Sequence, residues 1–308
     1  MIWTMGEMIV EIMREKVDTP LNEPGVFLGP YPSGAPAIFI DTAARLGQKA
    51  GIISGVGCDD FGRCLLERLE HDGVDTSLVL RDETCSTGCA FVMYYSNGDR
   101  KFIFHIGNTP AARAKAPEIV PVSDFFHVMG CSLMADATFG DEIVKTAEKF
   151  RAAGAKISFD PNIRPELMGG TDAPQKILAM SSVFMPGVAE LKMMAGCDTV
   201  EDSVAKCFEN PVLEIIALKR GSRGCTVYTR DGSIDFGIYP ITPVDATGAG
   251  DSFDAAFLCG LIDGLPMIDC IRQATSAASL NTAAFGPMEG KISPENVARL
   301  IAEHPEIG

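Results

Sequence analysis

Val244-Asp245-Ala246-Thr247-Gly248-Ala249-Gly250-Asp251 is the stretch on which the reading of the whole chain turns. Gly248, Ala249 and Gly250 offer backbone amides with almost no side chain in the way. Placed just before a helix, such a run makes a nest of N–H donors aimed at one point, reinforced by the positive end of the helix dipole. It can hold an anion without a Lys or Arg. Asp251 stands at the mouth of that nest, where a carboxylate can take the proton of an attacking hydroxyl group. The helix shows in Phe253, Ala256, Phe257, Gly260 and Leu261, apolar or small at steps of three and four. Asp is also a common helix cap, so an isolated Gly-Ala-Gly-Asp leaves two readings open.

The full string favours the chemical one. It closely resembles the C-terminal signature of the ribokinase-like (PfkB) carbohydrate kinases, in which Asp, Thr, Gly-Ala-Gly and a final Asp precede a helix of small residues. The resemblance implies that the amides of Gly248, Ala249 and Gly250 form an anion hole for the migrating phosphoryl group, with Asp251 as general base. Ala246 departs from the small β-branched residue common in that family, at a position away from the chemistry.

Bulk properties agree with an enzyme of that size. A chain of 308 residues, 46% hydrophobic and 22% charged, can bury one large α/β core with a small appendage. No run of 18 apolar residues occurs, and the first eleven residues lack a basic region followed by an apolar one, so neither a membrane span nor a signal peptide is expected. Ten cysteines are scattered singly and only four histidines are present, which disfavours a zinc site or a disulfide framework and suits a reducing cytoplasm. A net charge of −15 argues against nucleic acid as a partner. It does not argue against a nucleotide, because a backbone nest with Mg²⁺ handles phosphate locally.

Outward from the central string, the chain offers further landmarks. Residues 4–14 read as one strand, 26–31 as a second, and 38–46 as a helix stopped by Gly47. Ser33-Gly34-Ala35-Pro36-Ala37 before that helix and Ala44-Arg45-Leu46-Gly47 at its end resemble the N-terminal signature of the same family. Ser33 and Ile38 replace its first Gly and its sugar-binding Asn, and Glu11 replaces a commoner Asp. The resemblance makes Glu11, Gly34 and Ala35 substrate-binding candidates. Gly55-x-Gly57 after the strand at 49–56 lacks the third glycine and the later acidic residue of a dinucleotide loop.

Residues 87–95 and 100–106 alternate as strands around the hairpin signal Ser96-Asn97-Gly98-Asp99. With the N-terminal strands they are expected to form a small separate sheet, two excursions at about 8–34 and 86–107, which the resemblance makes a lid over the sugar and a surface for a homodimer. Where relatives place an aromatic–Arg pair, this chain has His105-Ile106, followed by Gly107-Asn108. His105 and Asn108 are candidate substrate contacts, and His105 reads equally well as a plain strand histidine.

From residue 124 the rhythm becomes strand–helix–strand, which predicts a doubly wound, mostly parallel sheet flanked by helices. Asp160-Pro161-Asn162-Ile163-Arg164 falls at a strand's carboxyl end and resembles a string in fructokinases and 2-keto-3-deoxygluconate kinases, where the Arg, here Arg164, meets the substrate. Glu190 matches the family's Mg²⁺-organising Glu, although Gly187 stands where its Asn belongs; a Glu at a helix start also serves its own dipole. Lys219-Arg220-Gly221-Ser222-Arg223-Gly224 resembles the nucleotide loop, making Lys219, Gly221 and Gly224 nucleotide contacts. Residues 267–285 read as a helix ending near Gly286, with Thr275 and Gly286 as further nucleotide contacts. Asp245 and Thr247 are the implied site of a monovalent cation such as K⁺. The expectation is a one-domain α/β kinase using ATP and Mg²⁺ on a sugar-like hydroxyl. Its rivals are a non-catalytic sugar- or nucleotide-binding regulator and a nucleoside kinase of the same fold.

Overall fold

The computed structural model describes residues 1–163 and 171–307. Its strands are β1 (Ile2–Met5), β2 (Ile9–Arg14), β3 (Phe27–Ser33), β4 (Ala50–Gly57), β5 (Asp75–Asp82), β6 (Gly88–Tyr94), β7 (Arg100–His105), β8 (Phe125–Met129), β9 (Lys156–Asp160), β10 (Val183–Phe184), β11 (Ile215–Lys219), β12 (Cys225–Thr229) and β13 (Gly232–Phe236). The helices are α1 (Ala35–Arg45), α2 (Asp60–His71), α3 (Gly130–Ala135), α4 (Ala137–Ala152), α5 (Ala173–Met180), α6 (Val188–Ala195), α7 (Val200–Cys207), α8 (Ala249–Ile262), α9 (Met267–Thr282) and α10 (Pro294–Glu303).

Nine strands form the main sheet in the order β13-β12-β11-β10-β9-β8-β1-β4-β5. It is parallel from β11 to β5 and ends in the antiparallel hairpin β12–β13. Central strands such as β1 and β4 are buried at every residue, as helices on both faces require. From β1 the chain winds outward through β4 to β5, then returns to β8 on the other side. That reversal opens a crevice at the carboxyl ends of β1 and β8.

The second sheet has the order β3-β2-β6-β7, built from the two expected excursions. Its strand β7 alternates half-buried and exposed along its whole length, the pattern of a sheet with one face to solvent.

Three sequence readings change. The stretch 4–14 is two strands in two different sheets, β1 at the centre of the large one and β2 in the small one. The break falls at Gly6, where an added Cβ would lie 2.3 Å from Pro36 Cγ on α1. Apolar residues on both sides of Gly6 hide this in the sequence. Helix α1 begins at Ala35, with Pro36 in its first turn, where a missing N–H costs nothing. Helix α9 ends at Thr282, whose carbonyl accepts from the amides of Val244 and Asp245 at 2.7 and 3.1 Å.

Helix α8 is buried continuously from Asp251 to Gly260. Packed against α1 and α9, it is a core helix whose N-terminus opens on the crevice.

Candidate active site

Gly248 caps α8 with φ of 80°, a left-handed conformation that disfavours a side chain, and an added Cβ would meet the Pro287 carbonyl at 2.5 Å. Residues 249–251 form the first helical turn, whose N–H groups have no carbonyl four residues back. The Ala249 amide makes only a long 3.4 Å contact to the Ala246 carbonyl. Asp251, in that turn, is buried, and Asn162 Nδ2 donates to its Oδ1 at 3.3 Å. Asn162 itself is held at φ of 36° by its own N–H donating to Asp160 Oδ1 at 3.0 Å.

Two cavities meet at this helix tip and share Lys219, Ala246 and Gly250 in their walls. The first, about 230 Å³, lies under the small sheet. Glu7, Glu11 and Asp251 bring polar groups to its lining, which also includes Gly34, Ala35, Ile38, Phe102, Phe104 and Ile106. Gly34 is needed as glycine: its φ is 102° and an added Cβ would stand 2.6 Å from the Glu7 carbonyl. Glu7, absent from the sequence candidates, accepts from Ser132 Oγ and, at 3.3 Å, from Cys131 Sγ. Ser33 Oγ donates to Glu11 Oε1 at 2.7 Å, so the two departures at positions 11 and 33 form one feature.

The second cavity, about 410 Å³, is a mostly apolar cleft lined by Ile238, Tyr239, Phe253 and Ala278, together with Gly221, Gly224 and Thr275. Gly286 is not part of it. Its N–H donates to Asp245 Oδ2 at 3.1 Å, and at its φ of 115° an added Cβ would lie 3.0 Å from the Tyr31 ring, so it shapes the central loop instead.

At the junction lies a buried charge cluster. Lys219 Nζ donates to Asp160 Oδ2 at 2.7 Å and to Asp254 Oδ2 at 2.9 Å. Burial alone would raise Asp160, but the Lys219 ammonium and a hydrogen bond from Asp254 hold it below the ordinary carboxylate range. Asp254 is pushed well up by burial. Lys219 is held charged by the two aspartates against the effect of burial. His127, fully buried and stacked 3.9 Å from Phe39, is pushed down to about 3 by burial and stays neutral.

Glu190 lines the first cavity and accepts the amides of Gly187 and Ile163, each at 2.7 Å. Glu190 therefore closes the N-terminus of α6 on the Gly187 amide and also lines the cavity wall. Burial and the nearby Asp160 charge raise its carboxyl.

His105 and Asn108 are corrected. Strand β7 sends Phe102, Phe104 and then Ile106 to the cavity, so His105, between them in a period of two, faces out and stacks edge-on with Phe91 at 6.0 Å. Asn108 sits in the following turn at φ of 57°, outside both cavity walls among the described residues. Arg164 lies outside the described residues. Arg100, absent from the sequence candidates, does enter the cavity and donates to Thr247 Oγ1 at 2.7 Å.

A doubly wound sheet, a small covering sheet and two cavities meeting at a glycine-capped helix tip define a ribokinase-like phosphotransferase with an alcohol group as acceptor. The chain belongs to the pfkB family of carbohydrate kinases, whose pattern matches residues 5–294. It is 31% identical over 318 residues to fructokinase-1 of Oryza sativa subsp. japonica and 28% identical over 316 residues to fructokinase-1 of Zea mays, each alignment covering 98% of this chain and 97% of the relative. Among solved structures, a putative ribokinase II from E. coli in complex with ATP and Mg²⁺ is 36% identical, with a TM-score of 0.89 over 98% of this chain and 99% of that one. The protein is a carbohydrate kinase.

Proposed function

We propose that this kinase transfers the γ-phosphoryl group of ATP to a hydroxyl of a sugar or sugar derivative, with Asp251 as the base. The observation that carries the reading is the meeting of the two cavities at Gly250, one suited to a polyol and the other to a flat apolar base. In this reading the sugar lies under the small sheet with its reacting hydroxyl toward Asp251, which accepts the proton as the oxygen attacks phosphorus. The first-turn amides of α8 face the charge that develops on the transferred group, positioned beforehand so that no reorganisation is needed. Asn162 holds the Asp251 carboxylate toward the acceptor side.

The chain offers Mg²⁺ no cage of its own: among the described residues no three His, Cys, Asp or Glu side chains cluster as a metal site. That fits a Mg²⁺ that arrives with ATP and keeps its waters, with Glu190 facing it through water. When bound, the ion neutralises the phosphate tail.

ATP consumption measured across neutral sugars, acidic sugars and nucleosides tests the assignment: turnover with a sugar hydroxyl supports it, and no turnover with any acceptor favours the regulator reading. Phe102 and Phe104, stacked with centroids 5.0 Å apart, both line the first cavity, and aromatic side chains also suit a planar substituent, so nucleosides belong in the panel.

On the best acceptor, Phe104→Ala should raise KM roughly ten-fold, the factor that about 1.4 kcal/mol of lost contact gives. His105→Ala should leave it within about two-fold, because its side chain points to the other face of the strand. The reverse order of effects would place the sugar elsewhere.

A further inference from the structure

In the loop that carries the amide nest, the side-chain oxygens of Asp245 and Thr247 and the Thr247 carbonyl are turned toward donors of the chain itself. Asp245 Oδ1 accepts the Thr247 amide at 2.9 Å and the Thr247 hydroxyl at 2.7 Å. Asp245 Oδ2 accepts the Tyr94 hydroxyl at 3.0 Å and the Gly286 amide at 3.1 Å. Thr247 Oγ1 accepts Arg100 Nη1, and the Thr247 carbonyl accepts Asn281 Nδ2, both at 2.7 Å. Asp245, Thr247 and Asn281 are all buried. A monovalent cation needs open lone pairs on oxygen; here the Asp245 carboxylate, the Thr247 hydroxyl and the Thr247 carbonyl face N–H and O–H groups instead. Asp245 and Thr247 are brought together, but they do not fit an ion.

We propose that Arg100, Tyr94 and Asn281 replace a monovalent cation at Asp245 and Thr247, holding the nest's loop in its working shape so that this kinase turns over without potassium. The positive charge comes from Arg100, relayed to Asp245 through the Thr247 hydroxyl. The guanidinium lies 5.8 Å from the centre of the Phe102 ring, which helps to fix it. Tyr94 is a neutral donor, since burial and the Asp245 carboxylate raise its phenol. Two of the three donors, Tyr94 and Arg100, flank the hairpin of the small sheet, so the seating of that sheet and the order of the phosphoryl loop are one event. Arg100 and Asn281 are positioning residues: they act on the transferred group through Thr247. The inference rests on the carbohydrate-kinase reading for its activity measurements, but not for its melting measurements.

The test compares the purified protein in choline chloride with the same protein in KCl at equal ionic strength. A bound cation stabilises the folded state by mass action, so its absence should show as a Tm that agrees within about 1 °C between the two salts. Turnover with ATP and the best acceptor should likewise agree within about two-fold. A Tm that climbs and saturates with KCl, or a ten-fold or greater fall in kcat in choline, overturns the proposal. Arg100→Ala and Asn281→Ala supply the second arm. Each should lower kcat in choline by about ten-fold or more, the usual scale of a lost positioning contact, with KM for ATP little changed and part of the loss restored by KCl but not by choline. A variant that keeps full kcat in choline removes its residue from this role, and both doing so defeats the idea. Absence of turnover in every salt would strike the kinase reading instead, leaving the melting comparison to decide about the ion.

Discussion

Asp251→Asn lowers kcat by roughly 10²–10⁴-fold, the range of a positioned general base, and leaves ATP affinity nearly unchanged. The substitution keeps shape and hydrogen-bonding reach while removing the site that receives the proton. It also separates two roles that overlap in the sequence. Gly248, not Asp251, is the cap of α8, and Asp251 stands in the first turn. A carboxylate there contributes to the helix only through the dipole, typically about 0.3–1 kcal/mol. A purely structural Asp251 would therefore show as a small fall in Tm with kcat intact. A base shows as the opposite pair: kcat collapses and Tm barely moves. Steady-state kinetics on the best acceptor, with thermal melts of both proteins, decides the matter. Near-normal turnover in the variant would end the assignment. The contact from Asn162 Nδ2 to Asp251 Oδ1 survives in one amide orientation, so the comparison isolates the proton acceptor.

That the sequence points to Asp251 at all comes from the compactness of the motif. Nest, cap and proposed base lie within eight consecutive residues, and the physical requirement is local: small residues, then a helix. Much of the frame is legible for a similar reason. The strands read at 125–129 and 156–159 are β8 and β9, alternating with the helix read at 138–153, which is α4, and Ser96-Asn97-Gly98-Asp99 does close the β6–β7 hairpin. Strand β5 escapes such a reading. Asp75–Asp82 pairs with β4 along one edge only, and its mixed polar sequence lacks the apolar run of a central strand. Helices α7 and α10 escape it too, although their signals are present: Thr199 accepts the Asp202 amide, and Ser293 before Pro294 accepts the Asn296 amide, both N-cap patterns.

The errors at the site have a different origin. His105 suggests itself by its chemistry, whereas alternation along Phe102, Phe104 and Ile106 already assigns it to the other face. Arg100 is overlooked because the resemblance directs attention to the far end of its strand. Glu7 is hidden because residues 4–14 read as one unbroken strand; only the break at Gly6 sends the chain from the large sheet to the small one and puts Glu7 on the cavity wall. The group at the junction of the cavities is invisible as a cluster in the sequence. Its members come from three separate elements, and nothing local ties them together.

Those members give the second large effect: Lys219→Met should destabilise the fold by about 3–5 kcal/mol, the cost of removing one partner from a buried ion pair. Lys219 reaches from the end of β11 to Asp160 at the end of β9 and to Asp254 on α8, where the two carboxylates are 4% and 0% exposed. Without the ammonium, Asp160 loses the charge that holds it low and burial alone acts on it. In the native protein Asp160 has a depressed folded pKa, so its contribution is present above the ordinary carboxylate range and is lost only as pH falls through the depressed value. In the variant its folded pKa rises instead, so the penalty is greatest at high pH and eases as acid protonates the carboxyl. The stability gap between the two proteins should thus narrow on going from pH 8 toward pH 5, by about 1.4 kcal/mol for every tenfold change in proton affinity that falls within that window. Urea unfolding at both pH values measures it. Adding Asp160→Asn to Lys219→Met should cost less than the sum of the single changes, because the neutral amide leaves less charge buried without a partner. A loss below about 1 kcal/mol, or a gap that does not change with pH, would mean that Asp160 and Asp254 find other partners. The tie between β9, β11 and α8 would then rest on apolar packing alone.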